Sequence, residues 1–322
     1  KRTFNNPVVI EANDLLLTLR GDNLTDVVAA GDFLLGAKAL PGTSVDSGMA
    51  PLLRPTSSRL ITNVRGLPRL LANASNQKYE ERVNPQSRLW MGFDDHQIGS
   101  DAPADITTFA GSDLARLTTA VPGDYFALAS VVHLSHVILD LDQYYLPDVN
   151  NPTDTEAAYT KRVQYMFRAA DPPPLGDADQ FTDGGGTTFV ANPFVGAENA
   201  VTGAKGISVP DRTPRLGHVS TLQRSSRTKD GTPLHIRVDG AGFDAIDTPY
   251  AQKLPKLHFS MYVPTADTFA TMRRAGGGVD LARRYGVLER DNGIERFLTT
   301  TRRQNFLSPS RSHRAFPLVE YT

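Results

Sequence analysis

Apolar and polar positions alternate clearly in only a few stretches of the chain, and those stretches predict its elements. Leu257-His258-Phe259-Ser260-Met261-Tyr262-Val263 has the two-residue period of a half-buried strand. Thr265–Arg274 follows it with a Thr cap and helical spacing. Leu234-His235-Ile236-Arg237-Val238 reads as another strand after the turn Lys229-Asp230-Gly231, with Leu216–Leu222 before it. Gly123–Leu141 is rich in β-formers and predicts a long strand, and helical material within Asp142–Phe167 ends before Pro172-Pro173-Pro174.

Nearer the start, the apolar run Asp14–Arg20 is closed by Gly21-Asp22 and predicts a buried strand. Asn23 or Thr25 then caps a helix reaching Gly36. Residues 41–86 read as mostly irregular, with a strand near Ser58–Val64 and a short helix near Leu67–Ala72. Strands followed by helices in two stretches point to an α+β fold with antiparallel sheets. Residues 176–214 form the long connection between a first half (1–175) and a second half (215–322).

Composition narrows the chemistry. The 322 residues carry 34 basic and 35 acidic side chains, which leaves no field to attract nucleic acid. No apolar run reaches the roughly 18 residues that span a bilayer. Cysteine is absent, which excludes disulfides, zinc-thiolate sites and iron–sulfur clusters and mildly favours an exported protein. The opening Lys1-Arg2 with Phe4 is not read as an export signal, because Asn5-Asn6-Pro7 breaks the apolar stretch such a signal needs. Gly184-Gly185-Gly186 lacks the context of a phosphate loop.

Several side chains stand out as chemistry. Gly92-Phe93-Asp94-Asp95-His96 places two carboxylates and an imidazole after an apolar run, suited to proton transfer, to metal binding or to a solvated turn. His133 and His136 lie three apart, which on a strand sends them to opposite faces and argues against a shared metal. His218 sits among apolar residues, as a hydrogen-bonded core histidine does. Arg237 lies inside an apolar strand, where burial requires an anionic ligand or, more commonly, a carboxylate of the same chain.

In this order the pieces resemble the dye-decolourising haem peroxidases, a family of two ferredoxin-like halves. The resemblance rests on Asp14–Asp22, on GFDDH at 92–96 against a G-x-x-D-G signature, on 123–141, on His218 and Arg237, and on 257–274. It implies haem b, with His218 as iron ligand and Asp291 (or Glu295) accepting that imidazole's other N–H. It implies Asp95 as proton acceptor, Arg237 as charge stabiliser, and hydrogen peroxide with an organic reductant, dye-like or phenolic, as partners. Trp90 stands five residues before Asp95, as a core residue or an electron relay. Self-association into a homo-oligomer is left open. Two departures shape the competing readings. His96 replaces the signature's last glycine, and the strand and helix expected before Asp14 are missing, so the first half is read as incomplete. A haem-binding protein without catalysis, or a non-haem metal site built on Asp94, Asp95, His96 and one of the other histidines, are the alternatives.

Overall fold

The computed structural model describes residues 7–44, 51–91, 102, 104–108, 127–146, 234–286 and 294–310. The chain divides into two compact units, one of residues 12–60 and one of residues 1–11 with 61–322.

The larger unit is built on a five-stranded sheet. Its strands are β1 (Val9–Ile10), β2 (Ser130–Leu139), β3 (Ile236–Asp244), β4 (Leu254–Val263) and β5 (Leu298–Ser308), in the spatial order β1-β5-β2-β4-β3. The two-residue β1 runs parallel to β5, whereas β5, β2, β4 and β3 pair antiparallel with one another. Numbered among themselves, those four strands stand in the order 4-1-3-2 of a ferredoxin-like sheet. The α+β class with antiparallel pairing is therefore what the sequence predicts. The central strand β2, read from sequence as part of the first half, pairs with β4 and β5 of the second.

Local chemistry explains these elements. β4 covers the alternating stretch and begins three residues before it. The helix after it, Ala266–Gly277, starts where Thr265 accepts from the Thr268 amide and ends at Gly278 with φ 57°, a left-handed position natural to glycine. A second short helix, Val279–Tyr285, starts from that same glycine. Leu67–Ala74 forms the helix expected near Leu67–Ala72, with Pro68 in its first turn. Of the helical material expected after Asp142, Leu141–Tyr145 is described, with Asp140 accepting from the Gln143 amide. The strand expected at Ser58–Val64 is reduced to a single bridge between Thr62 and Ala241.

The core lies on one face of the sheet. Trp90, Met91, Val137, Leu139, Leu141, Tyr144, Tyr145, Ile294 and Phe297 form its main cluster. The Trp90 indole donates to the Gly242 carbonyl at 3.0 Å and the Tyr145 hydroxyl to the Trp90 carbonyl at 2.7 Å, so the segment before the candidate GFDDH motif is pinned from two sides. Trp90 is buried against Phe243 at a centroid distance of 5.6 Å, the packing role foreseen for it.

In the smaller unit the predicted helix forms over Leu24–Leu34, and Asn23 caps it by accepting from the Thr25 amide at 2.9 Å. The predicted buried strand at Asp14–Arg20 does not form. Leu15, Leu17 and Leu19 are 52%, 49% and 41% exposed, so the alternation finds no sheet to bury it.

Candidate functional site

Of the predicted haem site the structure describes Arg237 and Glu295, the alternative acceptor for the proximal imidazole. Asp95, His218 and Asp291 lie outside the described residues, as do Asp94 and His96. Arg237 is the second residue of β3, and side chains two apart on a strand share a face. That face carries His235, Arg237 and Asp239 into a cavity of about 150 Å³. Its walls are largely apolar, formed by Trp90 and Met91, Leu257 and Phe259 of β4, and Phe269 and Met272 of the helix Ala266–Gly277.

Arg237 Nε lies 3.1 Å from Asp239 Oδ2, with both side chains largely buried. The carboxylate partner that a buried arginine requires is thus two residues along the same strand. The pair orients the guanidinium and compensates part of its charge. At another part of the lining, Arg273 is paired with Glu295, the alternative acceptor proposed for the proximal imidazole. Ser135 of β2 also faces the cavity.

His133 and His136 do separate to opposite faces. His133 lies parallel to Phe269 at a centroid distance of 3.5 Å. Its Nδ1 donates to Asn305 Oδ1 at 2.7 Å and its Nε2 accepts from the Ser135 hydroxyl at 2.6 Å. Burial, opposed by the Asn305 bond and assisted by Arg303 and Arg273, pushes its pKa down to about 4, so the ring is neutral at ordinary pH. On the far face, His136 Nδ1 meets His258 Nδ1 at 3.1 Å, and His258 Nε2 lies 3.6 Å from Asp244 Oδ2. Lys256, 2% exposed, reaches the same carboxylate at 2.5 Å, and this amine together with the Ile246 amide holds the Asp244 carboxyl below its ordinary pKa against the cost of its burial. Among the described residues no group of three or more His, Asp or Glu side chains is arranged to hold a metal ion.

The sequence reading missed His235 and Asp239. The signal available was the alternation 235/237/239, which places both beside Arg237 on any strand.

A ferredoxin-like sheet with an apolar cavity against one face, and a guanidinium–carboxylate pair on its wall, defines an α+β protein. Residues 2–310 match a family model, and the chain belongs to that family, described as a family of unknown function (DUF7405). No curated protein matches the chain. Among solved structures, a variant of DypB from Rhodococcus jostii RHA1 in complex with heme is 14% identical, with a TM-score of 0.36, over 70% of this chain and 53% of that one. An encapsulated DyP-type peroxidase from Mycobacterium smegmatis is 15% identical, with a TM-score of 0.33, over 69% of this chain and 52% of that one. The matched region therefore spans about half the length of either peroxidase.

Proposed function

We propose that this chain binds haem b in the cavity beside β3 and reduces hydrogen peroxide at the expense of an organic donor. The observation that carries the reading is the placement of Arg237, drawn from sequence as the charge-stabilising group, on the wall of an otherwise apolar cavity. An apolar lining with one fixed guanidinium is compatible in kind with a porphyrin and a polar reactant. In size the described walls enclose about 150 Å³, room for a single aromatic ring, and do not by themselves hold a macrocycle.

When bound, haem supplies the redox chemistry. His218 would hold the iron, and Asp291 would orient that imidazole. Asp95 would take the proton of an entering peroxide. Arg237, already oriented by Asp239, would offer a cation to negative charge developing on the reactant without having to reorganise. The same reading places the protein outside the cytoplasm, supported by the absence of cysteine.

The deciding experiment is an absorption spectrum of the full chain supplied with haem. A Soret band that His218→Ala abolishes is expected; full loading in that variant refutes the ligand, and no band in the unaltered chain refutes the reading. Arg237→Leu is expected to lower peroxide turnover about 100-fold or more while the band persists. The Arg237–Asp239 pair favours a second reading, haem binding without catalysis, because the neighbouring carboxylate offsets the cation. A loaded protein inert to peroxide at acidic and neutral pH alike selects it.

A further inference from the structure

The cavity beside β3 has a chemistry of its own, apart from any macrocycle. Three of the chain's five methionines, Met91, Met261 and Met272, line it, together with Trp90, the single tryptophan, and with Phe259 and Phe269. Thioether sulfurs and ring edges make favourable contacts with an aromatic guest, and unbranched methionine side chains adjust to its outline. A space of about 150 Å³ with such walls gives water few polar partners and takes one benzene-sized ring. The charged side chains on the described wall are paired. Arg237 is bound to Asp239, Arg273 to Glu295, and the Lys256 amine to Asp244. The Ser135 hydroxyl donates to His133, and the buried His235 has an interaction of its own. Cation and carboxylate thus compensate each other pair by pair, and the wall favours a neutral guest over an ion of either sign.

Arg237 and Asp239 set one polar point in this apolar wall. A guanidinium has about five N–H donors and a carboxylate about four acceptor sites, so the pair can serve a hydroxyl that accepts from one and donates to the other. We propose that the cavity is a binding site for one neutral, single-ring aromatic molecule bearing a hydroxyl, of the phenol class. Its ring lies among the methionines and its hydroxyl on the Arg237–Asp239 pair. A phenol meets these terms because it ionises only near about pH 10 and enters uncharged. An aromatic carboxylate of the same size brings a charge that the described wall does not compensate. The site asks nothing of haem, since the described walls suffice for one ring. The proposal therefore goes beyond the peroxidase reading and does not rest on it.

The full chain is titrated with phenol by calorimetry, with and without supplied haem. Without haem, saturable binding of one phenol per chain is expected, with a Kd of about 1 mM or below. Benzene, which lacks the hydroxyl, is expected to bind about 10-fold more weakly. Benzoate, a charged ring, and 2-naphthol, a fused pair of rings, are expected to lose about 10-fold or more. The double variant Arg237→Met with Asp239→Leu removes the pair together and is expected to keep benzene binding while losing the preference for phenol. If that variant does not fold, the ratio of phenol to benzene affinity in the unaltered chain decides the same point. Leu257→Trp fills the space and is expected to abolish phenol binding. With phenol bound to the unaltered chain, magnetisation transfer is expected between its ring protons and the Trp90 indole, which locates the ligand whether or not Leu257→Trp folds. No saturable binding, binding only once haem is supplied, equal affinity for benzoate or 2-naphthol, or no transfer to Trp90 overturns the proposal and leaves the Soret test of the haem reading untouched. Undiminished binding in a folded Leu257→Trp chain overturns it as well, and a phenol preference kept by the folded double variant overturns the role of the pair. Binding without haem, with transfer to Trp90, upholds the site whatever the Soret test returns.

Discussion

Acidification is expected to weaken the larger unit through His133, and the size of the effect follows from its surroundings. In the folded chain the ring is packed on Phe269, bonded at both nitrogens and close to Arg303 and Arg273, so it takes up a proton only near pH 4. In the unfolded chain it does so at the ordinary 6.5. Between those values the unfolded state binds more protons, so this contribution to stability is whole above 6.5 and drains away as pH falls toward 4. By linkage the loss is about 2 kcal/mol at about pH 5 and about 3 kcal/mol at about pH 4. His133→Phe keeps the ring stack and deletes the titration. It also leaves the Ser135 hydroxyl and the Asn305 carbonyl without the ring, which costs about 1–3 kcal/mol near neutrality. Urea denaturation followed by Trp90 emission is therefore expected to show the wild type more stable at neutral pH and the two curves meeting between about pH 6 and about pH 4, according to that cost. Stability curves for the two proteins that stay parallel across this range would refute the reasoning, whatever other groups titrate alongside.

The other predictions concern the two faces of the sheet and the helix against it. Gly277 closes the helix Ala266–Gly277 with open space where a Cβ would stand, so Gly277→Ala is expected to stabilise by about 0.5 kcal/mol, read as a raised Tm; an unchanged or lowered Tm refutes it. Gly242→Ala would set a Cβ 2.4 Å from His258 Nε2, on a ring with no exposed surface, and is expected to cost about 1–3 kcal/mol; a neutral result in denaturation means the ring can retreat. Asp244→Asn leaves the buried Lys256 amine without its carboxylate and is expected to cost about 3 kcal/mol, most of it recovered in the double variant with Lys256→Met. Equal destabilisation in the single and double variants would show that the amine, once unpaired, reaches water.

Where the sequence was legible, the signal was local. β4 is written in its alternation and the helix after it in the Thr265 cap, because a half-buried strand and a capped helix need only their own residues to declare themselves. β5 is invisible by the same test. Leu298-Thr299-Thr300-Thr301-Arg302-Arg303-Gln304 shows no apolar period, and the strand exists because it pairs with β2 along its length. The run Asp14–Arg20 fails in the opposite sense, with an apolar strand-like run that pairs with no strand among the described residues. At the site, Arg237 was readable because a cation in an apolar strand is costly and demands explanation. The carboxylate that answers it is the neighbour on the same face. The His136–His258 contact could not be read, since it depends on the register that sets residue 136 opposite residue 258.

That register also bears on whether the cavity needs an occupant in order to exist. On β3 the residues facing away from the cavity include Gly240 and Gly242, and a Cβ at Gly240 would fall 1.8 Å from the Ile61 side chain. Ile61 and His258 thus press against the strand at the two positions that carry no side chain. Sliding β3 by one residue would drive Arg237 and Asp239 into this crowded face and turn the glycines toward the cavity. The opposite face therefore holds Arg237 and His235 in place whether or not anything is bound between β3 and the helix Ala266–Gly277. A site fixed in this way needs little ordering of β3 when a ligand enters, so binding energy goes into contact with the ligand.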